Sequence, residues 1–352
     1  MRITRVDVWA VKLRLAEPYT VAYESVDEAV SIFVRIETNK KFIGLGSVNP
    51  DASVCGETPE SVLAALKGPA RDALVNADPR FITRLRERIK RPLSAAPGAR
   101  AGIDMALYDL LGRIAGIPVY QLLGAYRDRI ATSITIGILN ETKTVRRAQD
   151  FVAQGFRALK LKGGLDVEED IVRVLAVRAA VGDKIALRFD ANQGYDVEKS
   201  LRFIEAIRAA KLELVEQPTP RHALDDLARI TKQTPLPIMA DESLMGLRDA
   251  FRIARHGLAD MINVKLMKCG GIGPAMEIAS VARAARLDVM VGCMDESALG
   301  IAAALHFALA HPAVKYADLD GHIDLLGDPA AGAVTLTKGM LSLGTITDLT
   351  PE

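Results

Sequence analysis

The sequence predicts a parallel α/β barrel that follows a smaller α+β domain, and three observations support this. Apolar runs between residues 158 and 268 each end at or beside a charged residue. The charged residues recur every 24 to 28 positions, about the length of one strand, one helix and two short loops. The first 120 or so residues lack this repeat and place strands before helices.

The N-terminal part is predicted to be a separate α+β domain spanning residues 1–125. Residues 1–15 alternate like a strand, and 31–38 and 42–48 resemble a hairpin with a short turn. Helices are expected over 59–76, where Thr58 is a good cap, and over 98–115. Two polar segments, 18–26 and 49–58, are expected to be loops that serve as a lid.

Strict strand–helix alternation predicts a barrel over residues 126–325. Eight predicted strands begin at residues 133, 158, 185, 212, 237, 261, 288 and 315, which is enough to close a barrel. No long helix follows the eighth strand. The segment 326–352 alternates like a hairpin and is expected to return to the first domain.

The composition favours a small-molecule partner. The 45 Lys and Arg against 44 Asp and Glu give a net charge of +1, too small for a broad field that attracts nucleic acid or an anionic membrane. The three dispersed cysteines indicate neither a disulfide framework nor a zinc cluster. Without a membrane-spanning run or a signal-like start, we expect a cytoplasmic protein.

Three acids from successive predicted strand ends indicate a metal site. Asp190, Glu216 and Asp241 would emerge at one rim of the barrel, where oxygen ligands alone favour Mg²⁺, with Mn²⁺ as a second choice. The alternative is that each acid caps a helix or forms a salt bridge at the rim.

Three lysines indicate proton chemistry beside that metal. Lys160 and Lys162 share one face of a strand, and Lys265 would approach from the opposite side of the barrel. We expect the proximity of Lys160 and Lys162 to each other and to a divalent cation to lower their pKa values, giving a lysine that acts as a base near neutral pH. Two such lysines would suit removal of a proton from one face of a carbon and its return to the other.

Further residues are candidates for contact with a substrate. Asp318 and Asp320 share one face at the end of the eighth strand and could bind an ammonium group, although a turn-forming D-x-D-G is the alternative. Asp295 and Glu296 end the seventh strand, with substrate contact or structural pairing both open. Thr135, on the first strand, is another candidate.

The motifs ALKLKGG, FDANQGY, VEQP, ADES and NVKLMKCGG together resemble the enolase superfamily, within it the muconate-lactonizing subgroup. The resemblance covers essentially the whole chain. It implies a (β/α)7β modified TIM barrel with an N-terminal α+β capping domain completed by the C-terminal tail. It also implies that the three acids hold Mg²⁺, that Lys162 and Lys265 are the acid/base pair, and that Lys160 stabilises an enolate.

Within that subgroup the D-x-D of YADLDG is similar to that of dipeptide epimerases, where it binds the α-ammonium group. The resemblance therefore implies an isomerase that inverts the α-carbon of a dipeptide's C-terminal residue through an enediolate, and a homo-oligomer is expected. The alternatives are an N-acylamino-acid racemase or a muconate-type cycloisomerase. A non-catalytic binding barrel is a further alternative.

One departure from the pattern concerns the substrate. Epimerases that act on Ala-Glu carry an arginine in the first lid loop, where this chain has Glu24. An anionic residue would repel an acidic side chain, and Asp51 in the second loop acts in the same direction. A dipeptide with a basic or hydrophobic C-terminal residue is therefore expected.

Overall fold

The structure, a computed structural model, describes residues 1–20, 22 and 25–350. An antiparallel sheet of four strands forms one layer of the N-terminal part. Its strands are β1 (Ile3–Thr20), β2 (Ser25–Thr38), β3 (Ile43–Val48) and the later β13 (Leu325–Leu326). The helices beside it are α1 (Pro59–Ala65), a π-helical turn (Leu66–Ala70), α2 (Arg71–Leu74), α3 (Ile82–Lys90), α4 (Pro97–Ala115) and α5 (Val119–Leu122).

Eight parallel strands form the barrel, as the sequence predicted. They are β5 (Ile134–Ile136), β6 (Ala158–Lys162), β7 (Ala186–Asp190), β8 (Leu214–Glu216), β9 (Ile238–Ala240), β10 (Met261–Val264), β11 (Asp288–Gly292) and β12 (Val314–Asp318). Ser133 donates its backbone N–H to the carbonyl of Ala317 over 3.1 Å, which joins the last strand to the first. The predicted barrel fold is therefore confirmed.

Helices cover the outside of the barrel. They are α6 (Glu141–Ala153), α7 (Val167–Val181), α8 (Val197–Ala206) with a 3₁₀ turn (Arg208–Ala210), α9 (Leu224–Gln233), α10 (Leu247–His256), α11 (Leu266–Cys269), α12 (Ile272–Ala285) and α13 (Ala298–Ala310). Within the described ranges, no helix combines the length and apolarity needed to cross a bilayer.

The C-terminal segment packs on both parts of the chain. A 3₁₀ turn (Ala331–Ala333) leads into the hairpin of β14 (Val334–Thr337) and β15 (Met340–Leu343), and β15 pairs with β4 (Ile130–Ala131). Beyond the hairpin, Asp348 forms an ion pair with Arg35 of β2 at 2.8 Å. The segment thus links the start of the barrel to the N-terminal sheet.

The first predicted lid loop, 18–26, contains strand at both of its described ends. The pairs Tyr19 with Val26 and Thr20 with Ser25 continue the β1–β2 pairing, so residues 18–20 and 25–26 are strand where a loop was predicted. Tyr19 and Val26 pack against a cluster around Leu15, which accounts for the strand. Val21, Tyr23 and Glu24 lie outside the described residues.

Three hydrogen bonds fix the N-terminal part over one end of the barrel. The backbone N–H of Ile138 donates to the carbonyl of Thr20 at 2.8 Å. The Asn49 side chain donates to the carbonyl of Asp295 at 2.7 Å, and Arg221 donates to the carbonyl of Val54 at 3.0 Å. Both segments predicted to act as a lid are therefore tied to the barrel.

Close packing of β3 on α4 holds the N-terminal part together and gives a stability prediction. A Cβ added at Gly46 would collide with the carbonyl oxygen of Gly102 on α4. We therefore expect Gly46→Ala to lower the free energy of unfolding by about 3 kcal/mol, because the rigid helix backbone cannot move aside. A lower midpoint of urea denaturation would show this.

Gly246→Ala is the matched control. Gly246 has an extended backbone with φ −175°, and an added Cβ would meet nothing within 4 Å. This variant should change the free energy of unfolding by less than about 0.5 kcal/mol. Equal midpoints for the two variants would contradict the packing argument.

Candidate active site

The five charged residues identified from the repeat meet at one rim of the barrel. Lys162, Asp190 and Glu216 are the last residues of β6, β7 and β8, and the parallel register aligns them side by side. Asp241 and Lys265 directly follow β9 and β10. All five therefore lie at the carboxyl ends of the strands, the end that carries active sites in barrels of this kind.

The amine of Lys160 lies among the carboxylates. Its Nζ atom is 3.0 Å from Asp190, 2.8 Å from Glu216 and 2.9 Å from Asp318, and the side chain is 2% exposed. These three acids come from three different strands. The single ammonium group of Lys160 thus neutralises acids of β7 and β8 and, across the junction of the last strand with the first, the acid of β12.

The other two lysines are paired with acids as well. Lys162 lies 2.7 Å from Asp190, and Lys265 lies 2.9 Å from Asp241. Burial alone would lower the pKa of Lys160 and of Lys265, but the adjacent carboxylates outweigh burial and raise both values well above the usual range. The predicted lowering of the pKa values of Lys160 and Lys162 beside a divalent cation stays a prediction.

The three acids at the rim supply a donor set suited to a hard cation. All are buried, and their ligand atoms are oxygens only. Among the residues that the structure describes, no three acid, histidine or cysteine side chains already surround a common point, because lysine amines lie between the carboxylates.

Glu216 shows most directly that a cation would fit. Its Oε1 atom accepts a hydrogen bond from Asn263 at 2.7 Å. Its Oε2 atom lies 2.8 Å from Lys160 Nζ, yet this buried oxygen accepts no hydrogen bond of normal geometry from the described residues. Burial raises the pKa of Glu216 to about 8, and Asp190 adds to this rise. Such a carboxylate gains from a nearby positive charge.

Lys268 is a residue of this site that sequence reasoning missed. Its amine contacts the Asp241 carboxylate and donates to the Asp241 carbonyl at 2.6 Å and to the Asn263 carbonyl at 3.1 Å. The side chain is 2% exposed and holds Asp241 in place. The second lysine of NVKLMK, three residues after Lys265, was the available signal.

The two acids of the D-x-D segment have different surroundings. Ser133 donates to one oxygen of Asp318 at 2.6 Å, and Lys160 donates to the other at 2.9 Å. Arg188, deeper in the barrel, donates in turn to the Ser133 hydroxyl at 3.1 Å. Although burial opposes ionisation, Lys160 outweighs it and lowers the pKa of Asp318 to about 2. Asp318 is therefore held as a carboxylate.

Asp320 accepts fewer hydrogen bonds from the described residues than Asp318 does. One of its oxygens accepts the backbone N–H of Thr135 at 2.6 Å. Burial, reinforced by the charge of Asp318, raises the pKa of Asp320 to about 7. Both acids and Thr135 line the same cavity as the three lysines. A cationic group from a ligand would relieve the repulsion between the two carboxylates.

Asp295 and Glu296 point to different places. Asp295 lines the cavity and accepts a hydrogen bond from the Tyr19 hydroxyl at 2.7 Å. Glu296 is not among the described residues that line it. Its carboxylate instead accepts the backbone N–H of Met294 at 3.0 Å and lies against Gly300, so a substrate contact for Glu296 is not supported.

The second lid segment contributes Asp51 and Val54 to the cavity wall. One oxygen of Asp51 accepts hydrogen bonds from the Ser53 hydroxyl at 2.6 Å and from the backbone N–H of Val54 at 2.8 Å. This local turn holds the Asp51 side chain at the cavity. The other lid candidate, Glu24, lies outside the described residues.

Comparisons with known proteins find relatives along nearly the whole chain. Residues 143–346 match the family model described as "Enolase C-terminal domain-like", and residues 3–124 match "Mandelate racemase / muconate lactonizing enzyme, N-terminal domain". The chain is 41% identical over 342 residues to the L-Lys-D/L-Arg epimerase of Methylococcus capsulatus, covering 97% of this chain and 96% of that protein.

Two further comparisons involve Enterococcus faecalis. The chain is 40% identical over 346 residues to its hydrophobic dipeptide epimerase, covering 98% of each protein. The crystal structure of the dipeptide epimerase of that organism, complexed with Mg and L-Leu-L-Tyr, is similar with a TM-score of 0.95 at 39% identity, covering 98% of both chains.

The hydrogen bond from Asn263 to Glu216 gives a prediction about metal affinity. Partners that orient a metal ligand typically contribute 10–100-fold to affinity, so Asn263→Ala should weaken Mg²⁺ binding by about that factor. Titration calorimetry with Mg²⁺ would measure the change. Asn39→Ala is the matched control, because Asn39 lies in the turn between β2 and β3, accepts the backbone N–H of Arg2 and does not line the cavity. Equal affinities in the two variants would contradict this role of Asn263.

Proposed function

The chain belongs to the mandelate racemase/muconate lactonizing enzyme family of the enolase superfamily, and from that premise we propose that it is an Mg²⁺-dependent dipeptide epimerase. One observation carries the proposal: two lysines at the carboxyl ends of β6 and β10 lie on either side of a group of three buried acids, and they line a cavity that a D-x-D pair also lines. The relatives described above are named epimerases, which makes an isomerase the reaction class.

The lysines are placed to move one proton between the two faces of a carbon. β6 and β10 are four strands apart in an eight-stranded barrel, so Lys162 and Lys265 approach the cavity from opposite sides. In one direction the amine of Lys162 takes the α-hydrogen and the ammonium of Lys265 supplies a proton to the other face. In the reverse direction the two exchange roles.

Asp190, Glu216 and Asp241 would hold the divalent ion, and Mg²⁺ suits their oxygen atoms, with Mn²⁺ as a second ion of similar preference. When bound, the ion supplies positive charge that makes the hydrogen beside a substrate carboxylate more acidic. Lys160, buried between these acids, adds a fixed positive charge on the same side of the cavity. Lys268 keeps Asp241 oriented.

The D-x-D pair would orient the other end of the dipeptide. Asp320 accepts the backbone N–H of Thr135, and it lines the cavity. Asp318 accepts hydrogen bonds from Ser133 and Lys160, and its carboxylate adds a negative charge near Asp320. A free α-ammonium group matches this end. This match favours a dipeptide over an N-acylated amino acid or a lactone, which lack such a group.

The residue that is inverted is proposed to be basic or hydrophobic. Asp51 and Asp295 place two carboxylates on the wall beside the lysines, which favours a cationic side chain and disfavours an acidic one. Val54 and Met294 on the same wall would contact its aliphatic part. The relatives named above act, by their names, on a cationic and on hydrophobic dipeptides at nearly equal identity.

Incubation with a pooled library of L,L-dipeptides in D₂O with Mg²⁺ tests the proposed function. We expect solvent deuterium at the α-carbon of the C-terminal residue, detected by mass, because proton removal and return both exchange with solvent. Lys162→Ala and Lys265→Ala should each abolish epimerisation, and each should retain exchange with only one of the two epimers.

Asp318→Asn/Asp320→Asn serves as the comparison variant. It should lose activity on dipeptides while leaving any N-acylamino-acid racemisation largely intact. No exchange with any dipeptide, or equal exchange after loss of both lysines, would exclude the proposed function.

The wall residues give a second prediction. Asp295→Leu should lower kcat/KM for dipeptides with a C-terminal Lys or Arg by about tenfold or more, because it removes a carboxylate from a poorly solvated wall. For a C-terminal Leu or Met the value should stay level or rise. Steady-state kinetics on both substrate sets measures the ratio, and an equal loss on both would show that Asp295 only supports the fold.

A further inference from the structure

The cavity continues beyond the D-x-D pair to a wall that the catalytic scheme does not use. Leu15, Glu17 and Tyr19 occupy alternate positions of β1 and all line the cavity. Tyr19 lies next to the catalytic groups, through its hydrogen bond to Asp295. The strand then leads away from the lysines, so Glu17 and Leu15 mark the far end of the cavity.

Asp324 comes to that far end from the turn that follows β12. The Asp324 carbonyl accepts the backbone N–H of Ala16 at 2.8 Å, and Leu325 pairs with Leu15. Within the turn, Ile323 donates to the carbonyl of Asp320 at 3.0 Å. The same short turn therefore carries Asp320, which faces the ammonium position, and Asp324, which faces the far wall.

The floor between these two acids is apolar. Leu15 and Leu325 are buried in one cluster, with Val26 and Tyr19 packed against it. All four residues line the cavity. A side chain that lay along this floor would need an aliphatic stem, and only its tip would reach the charged wall.

The charges on the wall do not cancel. Arg147 is paired with Glu17 at 2.9 Å and lies over the ring of Phe151 at 4.6 Å. Its single positive charge therefore faces two carboxylates, those of Glu17 and Asp324. Asp324 has no ion pair within 4 Å, and its carboxylate accepts no hydrogen bond, among the residues that the structure describes. Burial raises the pKa of Asp324, Arg147 opposes the rise and Glu17 adds to it. The two carboxylates of Glu17 and Asp324 together with the guanidinium of Arg147 therefore carry one net negative charge.

We propose that Asp324 makes this enzyme selective for dipeptides whose N-terminal residue has a long cationic side chain, Lys or Arg. With the α-ammonium group at Asp320, the N-terminal side chain extends across the leucine floor and its cationic tip meets Asp324. The proposal rests on the dipeptide epimerase function proposed above. It concerns the N-terminal residue, whereas Asp51 and Asp295 concern the C-terminal one.

A series of dipeptides with one fixed C-terminal residue tests this selectivity. The N-terminal residue is Lys, Arg, norleucine, Ala or Glu, and kcat/KM is measured from α-deuterium exchange in D₂O with Mg²⁺. Norleucine keeps the length of lysine without the charge. We expect Lys and Arg to exceed norleucine by about tenfold or more, the factor that one partly buried charge pair supplies.

Asp324→Asn removes the charge and preserves the shape of the side chain. It should bring Lys within about twofold of norleucine and leave the norleucine value itself nearly unchanged, because the apolar floor is intact. Asp150→Asn is the matched control: Asp150 is exposed on α6, the helix that carries Arg147, and does not line the cavity. It should leave the ratio of Lys to norleucine unchanged.

Three outcomes would overturn the inference while leaving the epimerase function in place. These are equal rates for Lys and norleucine in the unaltered enzyme, an equal loss on both substrates in Asp324→Asn, and a preference for Glu, which would make Arg147 the selecting residue. Absence of exchange with every dipeptide would instead reject the function on which the inference depends.

Discussion

The ion pairs of the buried Lys160 amine are the interaction on which the rest of the site depends. Charges removed from water are costly unless each one meets an opposite charge, and the rim of this barrel concentrates several acids in a small volume. Lys160 joins Asp190, Glu216 and Asp318, which lie on strands that are not all neighbours. The same contacts that make the buried charges tolerable also set the positions of the groups proposed to handle a proton.

The second constraint is that the cavity is enclosed by parts of the chain distant in sequence. The barrel supplies the lysines and the rim acids, whereas other walls of the cavity come from β1, the segment around Asp51 and the turn after β12. Hydrogen bonds such as Ile138 to Thr20 hold these walls against the rim. The residues proposed to move a proton and most of those proposed to select a side chain therefore lie in different segments of the chain.

The D-x-D segment shows how position alone can separate two identical side chains. Asp318 and Asp320 share a face and are only two residues apart, yet the first is fixed by Ser133 and Lys160 while the second keeps an oxygen toward the cavity. Burial, reinforced by the charge of Asp318, raises the pKa of Asp320, whereas at Asp318 the contact with Lys160 outweighs burial and lowers the pKa. One acid completes the buried network and the other is available to a ligand.

The sequence by itself determined the barrel and the identity of its rim residues. Each βα unit repeats with nearly constant length, and parallel strands bring their carboxyl ends to one edge, so Lys162, Asp190, Glu216, Asp241 and Lys265 could be assigned to a common rim from spacing alone. Only the tertiary structure decided which charges touch. The contacts of Lys160, the support that Lys268 gives Asp241, the turning of Glu296 away from the cavity and the approach of Asp324 to β1 join residues far apart in the chain or depend on side-chain direction. Periodicity specifies the end of a strand at which a side chain emerges, but differences of a few ångströms between packed elements determine which partner it meets.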